Sequence, residues 1–373
     1  MKAKLVLAFV AAIALVGLML YRRPQPAVPV AETTNSPAAS RVPLPRLPAP
    51  RTEFTPAPAD SPADVPPTNA LARLLHNQEM VRLTREQVEP YLAANRRNAG
   101  SLLAAFRATG DTNLLQEATE KFPNDPRVAF AAAFNPRATP EERRQWLDAF
   151  KQSAPDNALA NFLSAADAFK SGQTDPAVQD LQAAYGKREF TDYAADFVQN
   201  AEEAWRAAGY SEAESKGIAS MQLLLPQLAP LKGLGQNLVD LAKSYRQAGD
   251  DASAQAALQM GLNLGQRLDE ADGPGKILIN QLVGIAIERI ILNTMDPASA
   301  YGSTGQTVKD RIDEMVRQRD AVKSLVKQSD GLLDNLPATD VSAYFDRLRQ
   351  FGEVQAMQWL VNKYGPQAAP GQP

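Results

Sequence analysis

Residues 238–265, LVDLAKSYRQAGDDASAQAALQMGLNLG, decide how the rest of the chain is interpreted. Apolar and small side chains recur at three- and four-residue steps on both sides of Gly249, which places them on one helical face. The stripe consists of Leu238, Leu241, Ala242 and Tyr245 before the glycine, and Ala254, Ala257, Leu258 and Gly261 after it. Gly249 stands where a helix commonly ends in the left-handed conformation. The pattern predicts two short antiparallel helices that need similar neighbours, because so short a hairpin cannot bury its apolar face alone.

The spacing of these residues resembles the tetratricopeptide repeat, whose pattern is W-x2-L-G-x2-Y, then A-x3-F, then P. The matching positions are Leu238, Leu241, Ala242, Tyr245, Ala254 and Leu258. The chain has Leu238 for Trp, Ala242 for Gly, Gly261 where Ala is usual and Gln266 where Pro is usual. The resemblance covers one unit of about 34 residues and implies a superhelix of hairpins with a concave groove.

A five-residue turn pattern recurs along the chain. It consists of an aromatic residue, an arginine, two variable residues and a glycine, and we call it the aromatic-Arg frame. It occupies residues 106–110, 205–209 and 245–249, and residues 169–172 repeat the frame shortened by one position. Each turn closes a first helix, and a second helix is expected within a few residues. Residues 122–126, FPNDP, are typical of a link between one hairpin and the next. Because the spacing between the turns is uneven, we expect an irregular array rather than a strict solenoid.

Helix start signals run through residues 69–365. Capping boxes are predicted at Thr84 with Gln87, Thr139 with Glu142, and Ser211 with Glu214, and a cap followed by proline at Asp125-Pro126, Thr139-Pro140 and Asp175-Pro176. No stretch alternates with period two for long enough to require a strand. The sequence therefore predicts an all-α domain over residues 69–365, built as an irregular array of antiparallel helical hairpins.

Two later segments depart from the hairpin pattern. Residues 277–292, ILINQLVGIAIERIIL, are apolar on nearly every face and predict a helix buried on all sides. The polar residues Asn280, Gln281, Glu288 and Arg289 argue against a membrane crossing there. A long amphipathic helix follows at 307–329, with an inner stripe of Ile312, Met315, Val316, Val322 and Leu325. With residues 341–364 it is expected to cap the exposed end of the array, before a disordered tail at 366–373.

The N-terminal segment, residues 1–23, predicts a membrane anchor. Lys2 and Lys4 precede an unbroken apolar run over residues 5–21, and two arginines close it. A helix of this length spans about 25 Å, a short crossing that flanking basic side chains can extend. A cleaved signal peptide is the alternative, with a site at residues 12–14. We favour an uncleaved anchor that leaves the C-terminal domain outside the cytoplasm, in the periplasm, since long domains translocate largely regardless of charge.

Residues 24–68 predict an extended spacer. The segment holds 13 of the 28 prolines, which fix φ and remove backbone donors. At about 3.1 Å per residue, its reach is on the order of 100 Å. We favour a disordered stalk that holds a domain away from the membrane. The alternative is that residues 43–50 are a ligand for a polyproline-binding groove.

Composition excludes several classes of chemistry. Cysteine is absent, so disulfides, thiolate metal sites and a cysteine nucleophile are excluded. His76 is the only histidine and lies beside no nucleophile signature, which argues against a catalytic triad and a zinc site. No acidic loop has calcium-binding spacing. The first 69 residues hold seven basic and four acidic residues, which leaves 32 basic against 38 acidic and makes nucleic acid a poor partner. We expect no catalysis, no cofactor and no metal.

Two glycine-containing loops are candidates for anion sites. Residues 273–276, GPGK, lack the upstream glycine and the Ser or Thr of a phosphate loop. Residues 302–307, GSTGQT, could bind an anion at the start of the long helix. We favour a flexible connection there that ends in an N-cap at Thr307.

The recurring basic residue is the one specific candidate for a binding site. In tetratricopeptide-like proteins the position after the first-helix Tyr lines the concave groove. The candidates at this position are Arg107, Arg206 and Arg246, with Lys170 in the shortened unit, and Lys243 lies one turn before Arg246. Their guanidinium and ammonium groups could hold a peptide carboxylate or acidic side chains. The alternative is that each cation complements a helix dipole and stays solvated.

These features together predict a membrane-anchored scaffold or adaptor in the cell envelope, which presents a concave surface to a protein or peptide partner. The alternative is a small-molecule receptor or an enzyme with a pocket between the array and its C-terminal helices, near residues 277–307. A structural spacer without a ligand is a third interpretation.

Overall fold

A computed structural model describes residues 80–269, 276–302 and 305–365, and these form an all-α protein. The predicted anchor, spacer and tail lie outside the described residues, as do His76 and most of the 273–276 loop. Within the described ranges, no helix combines the length and the apolar character needed to cross a membrane.

Fifteen α-helices make up most of the described structure. The first nine are α1 (Arg85–Ala94), α2 (Ala99–Thr109), α3 (Thr112–Lys121), α4 (Pro126–Ala133), α5 (Pro140–Ser153), α6 (Ala158–Lys170), α7 (Thr174–Tyr185), α8 (Ala194–Ala207) and α9 (Glu212–Met221). The others are α10 (Leu228–Gln247), α11 (Asp251–Asp269), α12 (Leu278–Leu292), α13 (Val308–Ser329), α14 (Ala338–Phe351) and α15 (Glu353–Tyr364). Two two-residue strands, β1 (Ala300–Tyr301) and β2 (Gln306–Thr307), pair antiparallel before α13.

Most of the predicted helix starts are confirmed. Thr84, Thr139 and Ser211 form complete capping boxes, and Asp125 caps a helix that begins with proline. Thr307 likewise caps α13 in a box with Asp310. The Asp175-Pro176 prediction is wrong, because α7 already begins at Thr174 and its cap residue, Gln173, makes no side-chain cap bond. Proline is tolerated there since the first-turn N–H groups have no partner within the helix.

The predicted turns close the helices as expected. Gly110, Gly172, Gly209 and Gly249 all have positive φ, directly after or within a few residues of the ends of α2, α6, α8 and α10. The 245–249 turn joins α10 to α11. The sequence suggested two short helices, but α10 has 20 residues and α11 has 19. The apolar pattern continues beyond both ends of the stretch from which they were predicted.

Helices that follow each other in the chain pair side by side, as α2 with α3, α4 with α5, α6 with α7, α8 with α9, and α10 with α11. The pairs are not stacked simply in chain order. Helix α8 lies against α2, and α10 lies against α6. The first helices of distant hairpins are therefore in contact, and one hydrophobic core runs through the array from Val81 to Met315.

The packing between α11 and α12 is especially close. A Cβ atom added at Gly265 would lie 3.0 Å from the backbone nitrogen of Glu288, and one added at Gly261 would lie 2.5 Å from Ile291 Cδ1. Backbones approach this closely only where side chains are absent. As predicted, α12 is buried along most of its length.

The last three helices form a second cluster. Helix α15 packs against α13 and α14, and α14 packs against α9. Their apolar core includes Val341, Tyr344 and Phe345 of α14 and Leu278 of α12. In α13 only Met315 of the predicted inner stripe is buried, and the other four predicted positions are partly exposed. Val308 and Val326, which were not predicted, are the other buried residues of this helix.

Candidate functional site

Helices α6 and α10 begin at the same place in the molecule. Asn157, the N-cap of α6, donates a hydrogen bond to the carbonyl oxygen of Thr191 at 2.8 Å. Gln227, which precedes α10, donates one to Asp192 Oδ2 at 2.7 Å. Because the two helices also pack against each other, they run in the same direction from residues 191–192. Their C-terminal turns therefore lie at the same end of the molecule.

Three of the sequence-predicted basic residues lie near the C-terminal ends of these two neighbouring helices. Lys170 ends α6, and Lys243 and Arg246 lie in the last turns of α10. All three are exposed. Lys243 pairs with Asp240 at 3.2 Å, and Arg246 donates a long, 3.4 Å hydrogen bond to the carbonyl oxygen of Thr294. We call Lys170, Lys243 and Arg246 the basic end.

The other two candidates lie elsewhere. Arg206 is exposed in the last turn of α8, which packs on α2 rather than on α6 or α10. Arg107 of α2 lies with its guanidinium carbon 3.6 Å from the centre of the Phe197 ring of α8. Burial lowers the pKa of Arg107 to about 10, against the opposing charge of Asp192. The aromatic-Arg turns thus share a backbone frame but place their arginines in different surroundings.

Arg107 faces a partly buried polar junction that we define by Arg107, Asp192, Gln227 and Asn280. These residues come from α2, the loop before α8, the start of α10 and the first turn of α12. Asp192 Oδ1 accepts a hydrogen bond from the backbone of Ala194 at 3.1 Å. Burial raises the pKa of Asp192, while hydrogen bonds that include those from Gln227 and Asn280 act in the opposite direction.

Hydrogen-bonding capacity at the junction is only partly used. Gln227 is 2% exposed, and its Oε1 accepts no hydrogen bond. The Oδ1 atom of Asn280 is also buried without a donor. No acceptor among the described residues takes a hydrogen bond from the Arg107 guanidinium, whose neighbours there are a ring face and the more distant carboxylate of Asp192. The two buried amide oxygens that lack a donor are costly, commonly about 1–3 kcal/mol each.

Aromatic side chains adjoin the junction, and Phe197 is the one whose ring lies against Arg107. Phe197 stacks on Phe130 of α4 at 6.2 Å, and Tyr193 lies 6.1 Å from Phe150 of α5. Tyr193 has a φ of 58°, unusual for a bulky side chain, and it stands at the start of α8 without a side-chain cap bond. The packing of its ring holds this strained backbone in place.

A second buried polar cluster joins α11, α12 and α13. Glu288 is 0% exposed, and both of its oxygens accept hydrogen bonds from Arg311, at 2.9 and 2.8 Å. The Tyr301 hydroxyl donates to the same carboxylate, and Asp269 lies 3.5 Å from Arg311. Burial and the Glu288 carboxylate raise the pKa of Tyr301 to about 12. With its charges paired in two-pronged geometry, this cluster links three helices.

Glu353 is a third buried acid. It opens α15, is 4% exposed and accepts a hydrogen bond from the backbone nitrogen of Leu278 at 2.9 Å. Its neighbours are largely apolar members of the second core. Burial raises the pKa of Glu353 to about 7, against the effect of that hydrogen bond.

Surface depressions on the described part of the chain are open ones. One of about 590 Å³ lies along α1 and is lined by Arg85, Glu86, Glu89, Pro90 and Ala93. Another of about 490 Å³ lies at the start of α7, over residues 172–176. The described ranges contain no group of three or more His, Cys, Asp or Glu side chains that could hold a metal ion.

The buried polar residues have only weak signals in the sequence. Asn280 and Glu288 interrupt an apolar run, which by itself argues only against a membrane crossing. Gln227 follows a proline within an apolar stretch, LLLPQLAP, where a polar side chain needs a partner. Asp192 resembles an ordinary helix cap. A polar residue inside an apolar segment is the general signal that could have identified Gln227 and Asn280 of the junction.

Comparison with known proteins adds no family to this description. No protein-family model, no curated protein and no solved structure matches the chain.

Proposed function

We propose that the chain is a membrane-anchored helical-hairpin scaffold that binds a protein or peptide partner in the cell envelope. The supporting observation is the basic end: α6 and α10 pack side by side, the residues that precede them are hydrogen-bonded to residues 191 and 192, and both helices carry exposed cations near their C-terminal ends. Lys170 has no ion-pair partner among the described residues. The fold in this proposal is an irregular tetratricopeptide-like superhelix that presents a concave surface and whose C-terminal helices act as a cap.

Charge and geometry favour an acidic partner segment. Three cations from two neighbouring helices can hold several carboxylates at once, and the weak partners of Lys243 and Arg246 are readily exchanged at the surface. A carboxylate at the C-terminus of a peptide or on its side chains suits both ammonium and guanidinium groups. The mechanism is recognition without chemistry. The anchor and the stalk confine the domain near the membrane and raise its local concentration there.

Proximity labelling in the native cell tests the scaffold role. The full-length chain, fused to a labelling enzyme, is expected to enrich a small set of envelope proteins above a control with the anchor and stalk alone. If the two fusions label the same proteins at the same level, the domain is a spacer rather than a scaffold. A reporter fused after Pro373 determines in the same cells on which side of the membrane the domain lies.

A further inference from the structure

Exposed apolar side chains gather where the described residues begin. Within the described ranges five large apolar side chains are exposed, and three of them are Met80, Met221 and Leu224, at 52%, 41% and 60%. The Nε2 atom of Gln222 donates a hydrogen bond to the carbonyl oxygen of Val81 at 3.1 Å. Each exposed residue lies within two positions of a residue joined by this bond, so the three are close together. We call Met80, Met221 and Leu224 the apolar patch.

The backbone on both sides of the apolar patch is held by the body of the protein. The backbone nitrogen of Leu83 donates to the carbonyl oxygen of Ala108 in α2 at 2.9 Å. In the connection between α9 and α10, Leu223 and Leu225 pack against the main core, whereas Leu224 between them faces solvent. Clustered apolar side chains on an ordered surface mark a place where another segment packs.

The residues directly before Met80 have the complementary pattern. Residues 71–79, LARLLHNQE, lie outside the described residues and are continuous with the apolar patch. Leu71, Leu74 and Leu75 recur at three- and four-residue steps, which is typical of one face of a helix. A helix of this length is marginal in water by itself and needs a surface on which to bury its apolar face. At about 1.5 Å per residue, Leu75 would stand about 7.5 Å along the helix from Met80, within reach of the patch.

We infer that residues 71–79 dock on the apolar patch through the face that carries Leu71, Leu74 and Leu75. The segment is tethered to the patch, so its local concentration there exceeds that of a second copy or of a separate protein. Docking would also fix the direction in which the preceding chain leaves the α9–α10 side of the domain. This inference goes beyond the scaffold function and does not depend on it, because the apolar patch and the basic end share no residue.

Introduced cysteine pairs test the contact without background, because the full-length chain has no cysteine. The probe pair is Leu75→Cys with Leu224→Cys, and a disulfide between the two needs Cα atoms within about 7 Å of each other. The matched control is Arg73→Cys with Leu224→Cys, since Arg73 lies on the opposite helical face from the leucines. After mild oxidation of the full-length chain, the probe pair is expected to form an intrachain disulfide at several times the yield of the control.

Hydrogen exchange of the full-length chain provides a second measurement. Leu224→Asp is expected to speed exchange of the amides of residues 71–79 by about tenfold or more, because it places a charge in the contact and releases the segment. Tyr185→Asp, a change at a comparably exposed apolar residue of α7, is expected to leave their exchange unchanged.

Three results would overturn the inference. The first is equal cross-linking of the two cysteine pairs. The second is a disulfide that forms only between two chains, which would make a second copy the occupant of the patch. The third is exchange of residues 71–79 at the same rate in Leu224→Asp and in Tyr185→Asp.

Discussion

Gly265 of α11 and Gly284 of α12 face each other backbone to backbone: a Cβ atom added at Gly284 would lie 2.6 Å from the carbonyl oxygen of Gly265. The same atom would lie 2.8 Å from the backbone nitrogen of Asp269. Both obstacles are backbone atoms, which cannot move aside as a flexible side chain does. The two helices are therefore held at a distance that only glycine permits.

Gly284→Ala is expected to lower the free energy of unfolding by about 1–3 kcal/mol, the usual cost of overpacking a tight interface. The control is Gly233→Ala in α10, where the added atom meets nothing within 4 Å. That change is expected to raise stability by about 0.5–1 kcal/mol, because alanine is the better helix former. Urea unfolding followed by circular dichroism measures both. Equal effects of the two changes would contradict the close approach.

Arg311→Met is expected to lower the free energy of unfolding by about 3–5 kcal/mol, because it leaves the buried carboxylate of Glu288 without its charged partner. The matched change on the same helix is Arg317→Met, which breaks an exposed pair with Glu314. Exposed pairs contribute at most about 1 kcal/mol. Thermal unfolding of the two variants compares them directly, and similar losses would mean that the Glu288 cluster is not desolvated.

Glu353→Gln tests whether the buried carboxyl group of Glu353 makes the stability of the protein depend on pH. The folded pKa of Glu353 is raised to about 7 from 4.5, so the folded protein holds a proton that the unfolded chain has lost. Its contribution to stability is therefore fully present at low pH and declines as pH rises from about 4.5 to about 7, by an amount on the order of 3 kcal/mol. The neutral glutamine keeps an oxygen for the Leu278 N–H and removes this dependence.

The melting temperatures of the two proteins are expected to be closest near pH 5 and to separate in favour of Glu353→Gln by pH 8. Glu141→Gln, at an exposed position on α5, serves as the control and is expected to follow the unchanged protein across the range. A constant difference between Glu353→Gln and the unchanged protein at all pH values would contradict a buried, proton-binding Glu353.

The features predicted from sequence are those that depend on near neighbours in the chain. Capping boxes such as Thr139 with Glu142 and left-handed glycines such as Gly249 act within four residues, so their patterns predict helix ends well. The packing of α8 on the first helices depends on pairs such as Tyr91 and Asn200, which are 109 positions apart. No local pattern encodes that contact.

The same distinction explains the candidate sites. Arg107 and Arg206 occupy the same position in the aromatic-Arg frame, but a distant helix places Phe197 over Arg107 and leaves Arg206 exposed. The junction itself joins residues from four separate segments, which only the tertiary structure brings together. A repeated local motif therefore predicts which residues end the helices, but not which of them share a surface.

The most direct test of the central claim is charge reversal at the basic end, measured as the quantity of partner proteins recovered with the full-length chain from cross-linked membranes. Lys170→Glu combined with Arg246→Glu reverses one charge of the basic end on each of its two helices. The control is Lys327→Glu, an exposed cation in the last turn of α13, where it complements the helix dipole in the same way. We predict that the double variant loses most of the recovered partners and that the control retains them. Equal recovery by all three proteins would contradict the assignment of the basic end as the binding surface.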